Sequence, residues 1–160
     1  MPTYRIVVGV DGSEGSLRAL LWAVGEAHSR GGSVQAVMAY DWPGTEVAML
    51  AGLGPEGELE RAEEILATAI DGVRGQYSEV PIATEAVLGN AALKLAEASK
   101  DADLLVIGSH GHGRLHNAVI GSVSEGCIRH AHCPIVVVPT PRFEASKIAD
   151  VAKRPATAGR

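Results

Sequence analysis

The sequence has few aromatic residues, few cysteines and no apolar run of membrane-spanning length. Aromatic side chains make up 4% of the 160 residues, so the core must come from alanine, valine, leucine and glycine, which suits helices packed closely on a sheet. A membrane span needs about 20 consecutive apolar residues, and Met1 leads straight into a strand-like run rather than a signal peptide. A chain of this size needs no disulfide, so Cys127 and Cys133 indicate a reduced, cytoplasmic protein.

Positive charge is scarce in most of the chain. The net charge is −5, and no dense basic stripe precedes residue 141, which argues against nucleic acid as the main partner. Residues 141–160 hold five basic and two acidic residues, a net charge of +3, which leaves −8 on the residues before them. We therefore predict one domain over residues 1–140 and a weakly ordered basic tail over residues 141–160.

Strand-like and helix-like segments alternate along the chain. The first strand-like run, YRIVVGV, is β-branched and almost continuously apolar, which predicts a strand covered on both faces. The helix-like segment after it ends at Gly31-Gly32. Its predicted core face consists of Leu17, Leu20, Leu21, Val24 and Ala27. The predicted strands are Tyr4–Val10, Val34–Tyr40, Ile82–Leu88, Leu104–Ile107 and Pro134–Val138, the predicted helices are Ser16–Arg30, Glu56–Gln76, Ala91–Lys100 and Ser122–Ala131, and Asp41–Pro55 is predicted to be a loop.

This alternation predicts an α/β fold. The architecture expected is a single-domain, open, doubly wound sheet of five mainly parallel strands with helices on both faces. Ligands of such sheets bind beyond the carboxyl ends of the strands, where the strand order reverses. The first and fourth strands end near Asp11 and Gly108, so a ligand is expected there.

The stretch GSHGHGRLHNAVIGSVS, residues 108–124, links the fourth strand to a helix. The first amides of that helix, at Val123 and Ser124, have no partner within the helix and lie at the positive end of its dipole, which favours an anion. Glycines at 108, 111 and 121 would allow positive φ and close approach to phosphate. Ser122 and Ser124 would add hydroxyl donors, and Asp11 could accept from ribose hydroxyls. The alternative is a long loop with capping serines and glycines needed only for turns.

Three other kinds of site fit the sequence less well. A metal centre is suggested by the number of histidines, which include His110, His112 and His116, but His110 and His112 flank a glycine in a loop, and no CxxC pair is present. Nucleophilic catalysis lacks a G-x-S-x-G elbow, and the mid-helix Cys127 is better interpreted as a small core residue. The string GLGPEG, residues 52–57, matches the dinucleotide pattern but does not follow a strand. We interpret it as a flexible loop that could cover the site.

Several segments together resemble the universal stress protein family, in its ATP-binding branch. The spacing Gly108-x2-Gly111-x9-Gly121-Ser122 resembles the nucleotide-binding signature of that family. VVGVDGSEGS resembles its first strand and turn, DADLLVIGSHGHG its fourth strand and loop, and GSVSEGCIRHAHCPIVVVP its last helix and strand. The resemblance covers Tyr4–Pro139 and implies an adenine nucleotide alpha hydrolase-like fold.

The resemblance also implies a ligand and an assembly. Adenine would lie near Val10, Ala39 and Ile107, and Asp11 would hold the ribose. The residues implied around the phosphates are Gly108, Gly111, Gly121, Ser122, Val123 and Ser124. A homodimer is implied through the fifth strand, Pro134–Val138, whose apolar edge would otherwise be exposed. The alternative is that the tail covers this edge.

The function expected is ATP binding by a nucleotide-dependent sensor or regulator of the stress response, whose protein partner the sequence does not identify and for which no membrane partner is expected. The phosphate loop supplies Arg114 and histidines but no obvious base or aspartate pair, so rapid hydrolysis is not expected, and at most weak ATPase activity is. Mg²⁺ can accompany the triphosphate because it is usually shared with substrate oxygens. The alternatives are a ligand-free dimeric interaction module and a binder of AMP or a cyclic nucleotide.

Overall fold

The computed structural model of the protein describes residues 4–109 and 120–140. The tail predicted over residues 141–160 lies outside them. The described strands are β1 Arg5–Gly9, β2 Ser33–Tyr40, β3 Ile82–Leu88, β4 Leu104–Gly108 and β5 Ile135–Val138. The described helices are α1 Glu14–Arg30, α2 Glu46–Leu50, α3 Glu56–Arg74, α4 Ala91–Ala98 and α5 Ser122–His130, and a short 3-10 helix covers Ser99–Asp101.

The five strands form one sheet in the order β3-β2-β1-β4-β5, and every neighbouring pair is parallel. This confirms the predicted doubly wound α/β fold. Every predicted strand and helix is present and ends within two residues of its predicted bounds. The prediction of a continuous loop at 41–55 is wrong, because α2 forms inside it and Thr45 caps that helix by accepting from the amide of Ala48 at 3.2 Å.

Two apolar layers cover the two faces of the sheet. Alternate residues of β1 point to opposite faces, so Ile6 and Val8 pack with α1 and α3, whereas Val7 packs with α4 and α5. All three are fully buried. The central strands therefore lie between helices on both sides, as their continuous apolar sequence predicts.

The edge strands are less buried than the sequence predicts. Residues 83–85 of β3 are exposed, and every residue of β5 is half-buried. The coverage on both faces that the sequence predicts for the first strand does not extend to these two strands, because both lie at the edges of the sheet. β5 does lie at an edge of the sheet, as predicted.

Helix α1 begins two residues earlier than predicted. Ser13 is its N-cap and accepts from the amide of Ser16 at 3.2 Å, so the helix starts at Glu14. It ends at Gly31, whose φ of 62° is left-handed and favours glycine. The predicted core face is wrong at Leu17 and Leu21, which are each 38% exposed. The buried stripe of the helix consists of Gly15, Ser16, Ala19, Leu20, Ala23, Val24 and Ala27.

Candidate functional site

A crevice opens at the carboxyl ends of β1 and β4. The chain passes from β1 through β2 to β3 and then crosses to the other side of β1 to form β4 and β5. The strand order thus reverses between β1 and β4, where open α/β sheets bind ligands. The cavity there has a volume of about 270 Å³. Its lining residues are Gly9, Val10, Asp11, Ser13, Ser16, Val37, Ala39, Ala91, Leu95, Ile107, Gly108, Gly121, Ser122, Val123 and Ser124.

The cavity brings together every predicted site residue that the structure describes. These residues are Val10, Asp11, Ala39, Ile107, Gly108, Gly121, Ser122, Val123 and Ser124. The remaining predicted residue, Gly111, lies outside the described residues, as do His110, His112 and His116. Residues more than 100 positions apart in the sequence meet here because parallel strands end at the same edge of the sheet.

One end of the cavity is apolar. Val10 directly follows β1, and Ile107 lies near the end of β4. Both side chains are almost fully buried and line the cavity. Val37 and Ala39 come from β2, and Leu95 comes from α4. Small aliphatic side chains on facing elements leave a slot that suits a flat apolar group.

Asp11 is held by the turn that starts α1. Its Oδ1 accepts from the Ser13 amide at 2.9 Å and from the Ser13 hydroxyl at 2.5 Å. The Asp11 amide donates to the hydroxyl of Ser16 at 3.2 Å. The Asp11 carboxylate is therefore positioned by the backbone and side chain of Ser13, on the lining of the cavity.

The other end of the cavity is formed by the N-terminus of α5. Gly121 is the N-cap, with extended backbone and no capping side chain. Its amide donates to the oxygen of Ser109 at 2.8 Å, and its oxygen accepts from the amide of Glu125 at 2.9 Å. These two bonds fix the entry of the helix against the end of β4. The amides of the first turn of a helix attract an anion because they have no acceptor within the helix and lie at the positive end of its dipole.

Positive φ, one of the two predicted reasons for these glycines, is wrong for Gly108 and Gly121. Gly121 has a φ of −72°, and Gly108 is not among the residues with positive φ. A Cβ added to Gly108 would lie 2.9 Å from the carbonyl carbon and the oxygen of Gly15. Gly108 is therefore needed because β4 approaches the backbone of α1 closely, and not for a left-handed turn.

The Ser124 hydroxyl already has an acceptor within the fold. The side chain is buried, and the hydroxyl donates to the oxygen of Gly108 at 2.8 Å. A hydroxyl has one hydrogen, so it does not donate to a ligand in this arrangement. Ser122 is exposed at the first position of α5, where its hydroxyl can face the cavity.

The sequence did not predict several residues that line the cavity. They are Gly9, Ser13, Ser16, Val37, Ala91 and Leu95. Val37 follows from the period of two in β2, since it shares a face with the predicted Ala39. Ala91 and Leu95 could not be found from local patterns, because only the crossover of α4 brings them to the cavity.

Chemically, the described lining offers binding groups rather than a proton-transfer set. Asp11 is its only ionisable residue, and no group of three His, Cys, Asp or Glu residues suited to a metal occurs among the described residues. Cys127 is fully buried in α5, and this burial raises the pKa of its thiol to about 11. A neutral, buried thiol agrees with the interpretation of Cys127 as a small core residue.

Within the described ranges, no helix combines the length and apolarity that a membrane crossing requires.

Comparison with protein families gives a match over most of the chain. The model of the universal stress protein family matches residues 3–139. The universal stress protein Rv2005c of Mycobacterium tuberculosis is 36% identical over 132 residues, which are 82% of this chain and 44% of that protein. The universal stress protein MJ0531 of Methanocaldococcus jannaschii is 35% identical over 148 residues, which are 88% of this chain and 84% of that protein. The chain thus spans less than half the length of the mycobacterial relative.

Solved structures share the fold. The universal stress protein UspA from Lactobacillus plantarum has a TM-score of 0.72 at 20% identity, over 86% of this chain and 99% of that chain. A universal stress protein in complex with cAMP has a TM-score of 0.62 at 26% identity, over 86% and 98%. The Archaeoglobus fulgidus protein in complex with dAMP has a TM-score of 0.64 at 25% identity, over 86% and 98%.

Proposed function

This chain belongs to the universal stress protein family, and we propose that it binds an adenine nucleotide, ATP, in the cavity at the ends of β1 and β4. The observation that carries the proposal is the gathering of an apolar slot, a fixed carboxylate and a helix N-terminus around one cavity. Relatives of 25% and 26% identity have been solved with dAMP and cAMP, which supports an adenine nucleotide as the ligand class. We also propose that residues 1–140 form the nucleotide-binding domain and residues 141–160 a basic tail.

Each part of the cavity suits one part of a nucleotide. The slot near Val10, Ala39 and Ile107 would hold the base by apolar contact. Asp11 would accept hydrogen bonds from ribose hydroxyls, because its carboxylate is fixed by Ser13 on the cavity lining. The first-turn amides of α5 and the hydroxyl of Ser122 would bind phosphate oxygens, together with Gly111.

A regulator fits this lining better than an efficient enzyme does. Phosphoryl transfer needs a positioned base and a cation clamp, and the described lining supplies one carboxylate and no cationic side chain. A nucleotide that binds only the folded state would stabilise that state more strongly as the nucleotide concentration rises. The protein would thus report nucleotide availability during stress through its stability or its choice of partner. Mg²⁺ would be held mainly by the phosphates.

A second candidate is a binder of AMP or a cyclic nucleotide. The cAMP and dAMP complexes of the relatives favour it, since both ligands carry one phosphate. ATP is preferred here because ten residues separate Ser109 from Ile120 in the sequence, and a loop of this length favours room for three phosphates. The two candidates share the base and ribose contacts and differ only at this loop.

A homodimer through β5 is also proposed. This strand lies at the edge of the sheet and consists of four half-buried apolar residues. Pairing with a second copy would remove an edge that otherwise invites uncontrolled strand addition. Sedimentation equilibrium should give twice the mass of the chain, and a monomer mass at high concentration would refute this assembly. Separately, Cys127 and Cys133 are free thiols, which supports a location in the reducing cytoplasm.

Titration calorimetry of the pure protein against ATP, ADP, AMP and cAMP tests the proposal. ATP should bind most tightly and AMP more weakly, because each phosphate adds contacts at α5. Affinity for ATP no greater than for AMP would remove the triphosphate assignment. Multiple ATP turnovers that disappear in Gly121→Asp would replace the regulator by an ATPase.

A further inference from the structure

A second concavity lies between α1 and α3. Its volume is about 540 Å³, twice that of the cavity at β1 and β4. Leu17 and Leu21 line it from α1, and Ile65 and Val73 line it from α3. The α1 leucines are the residues that were predicted to be buried and are instead 38% exposed. Covering apolar side chains that are exposed to water lowers the free energy, so this surface favours an occupant.

The described chain ends beside this groove. Thr140 is the last residue before the tail, and its Oγ1 lies 3.5 Å from the Nη2 of Arg18, which also lines the groove. Ser109 holds Thr140 from the other side, since its hydroxyl accepts from the Thr140 amide at 3.2 Å. The tail therefore starts from a fixed point next to the groove.

The residues after Thr140 match the groove in apolarity and in charge. The only phenylalanine of the chain, Phe143, follows three positions later, and three extended residues reach about 10 Å. Helix α3 carries six acidic and two basic residues, a net charge of −4. The tail carries +3, so the long-range attraction is favourable.

We propose that the C-terminal segment from Pro141 folds back on its own chain and places the ring of Phe143 in the groove between α1 and α3. A buried phenylalanine removes a large apolar area from water, and the leucines of α1 and Ile65 of α3 provide the matching surface. The covalent connection at Thr140 gives the segment a high effective concentration, which favours its own groove over that of another copy. The proposal is independent of the nucleotide cavity.

Methyl NMR of the full chain tests the anchor. Phe143→Leu keeps an apolar side chain but removes the aromatic ring, so the methyl signals of Ile65, Leu17 and Leu21 should lose their ring-current shifts. The methyl signals of Leu95, on the opposite face of the sheet, should stay in place. Ile128→Ala is the matched control, because Ile128 is an exposed apolar residue of α5, and it should leave the groove signals unchanged. Groove signals that do not move in Phe143→Leu would overturn the proposal.

A mixing experiment identifies whose tail occupies the groove. Labelled Phe143→Leu protein is mixed with unlabelled wild-type protein, and the methyl signals of Ile65 and Leu21 are followed. If each tail binds its own groove, the labelled signals stay at their mutant positions. A return to the wild-type positions would show that Phe143 of a second copy enters the groove, which contradicts the proposal.

Discussion

The hydroxyl of Ser124 donates to the backbone oxygen of Gly108 over 2.8 Å. This bond joins the first turn of α5 to the end of β4, so the two sides of the proposed phosphate site are fixed before any ligand arrives. The serine closest in sequence, Ser122, is exposed and lies on the cavity lining. The two serines of the signature therefore have different roles, one in the fold and one in the site.

Ser124→Ala should destabilise the protein. The substitution removes a buried donor and leaves the Gly108 oxygen without this hydrogen bond, a loss of about 1–3 kcal/mol in the free energy of unfolding. Ser122→Ala, at an exposed position, should change stability by less than about 0.5 kcal/mol. Urea denaturation measures both. Equal stability of the two variants would show that the bond from Ser124 to Gly108 contributes little.

Gly108→Ala should disturb the fold rather than only the affinity for nucleotide. The added Cβ would lie 2.9 Å from backbone atoms of Gly15, which cannot rotate away. We expect a loss of about 1–3 kcal/mol, as for other overpacked sites. Gly57→Ala is the control, because no atom lies within 4 Å of its added Cβ, and alanine in a helix is neutral or stabilising. Thermal melts that show a wild-type Tm for Gly108→Ala would contradict the close approach of β4 and α1.

Ser13→Ala should reduce both stability and nucleotide affinity. It removes the cap of α1, worth about 1 kcal/mol, and it removes the hydroxyl that donates to Asp11. Thr45→Ala removes a similar cap from α2 but leaves Asp11 untouched. Calorimetry should show weaker binding of every ribose-containing ligand in Ser13→Ala and unchanged binding in Thr45→Ala. Unchanged affinity in both would mean that Ser13 does not position Asp11 for a ligand.

The stability of the protein should fall in alkaline solution because of Cys127. Burial raises the pKa of this thiol from 9.0 to about 11, so above pH 9 the unfolded chain loses a proton that the folded chain keeps. The contribution of the neutral buried thiol is fully present below pH 9 and is lost as the pH rises towards 11, by about 2–3 kcal/mol in all.

Urea denaturation between pH 8 and about 10.5 checks this pH dependence. Cys127→Ala removes the thiol, so its stability should fall less steeply with pH than that of the wild type. Other groups titrate in the same range, but they are common to both proteins, and the difference between the two curves isolates Cys127. Parallel curves would show that the thiol pKa is not raised in the folded state.

The sequence predicted the order and type of the elements well, because the β-branched apolar runs of the strands and the spacing of apolar residues in the helices were both clear. It failed where tertiary contacts decide. Leu17 and Leu21 have helical spacing but lie beside a groove, and α2 is too short to give a periodic signal. Residues 83–85 are exposed because β3 is an edge strand, which no local pattern reveals.

The sequence predicted which residues meet at this cavity, but not what each of them contacts. Spacing and the end of β4 placed Gly108, Gly121 and Ser124 at one cavity, and the structure brings them there. Their individual roles depend on neighbours far away in sequence. Gly108 meets the backbone of Gly15, and Ser124 bonds to Gly108, so packing against α1 and β4 determines what each residue does.

The most direct test of the central claim compares Ser122→Pro with Ser122→Ala by ATP calorimetry. Proline is tolerated at the first position of a helix, and the extended Gly121 before it is compatible with proline, so Ser122→Pro removes the amide donor as well as the hydroxyl while α5 remains. If the first-turn amides bind the phosphates, ATP affinity should fall about tenfold more in Ser122→Pro than in Ser122→Ala, since a hydrogen bond to a charged group contributes about 1.5–3 kcal/mol. Equal ATP affinities of the two variants would contradict phosphate binding by this amide at the N-terminus of α5.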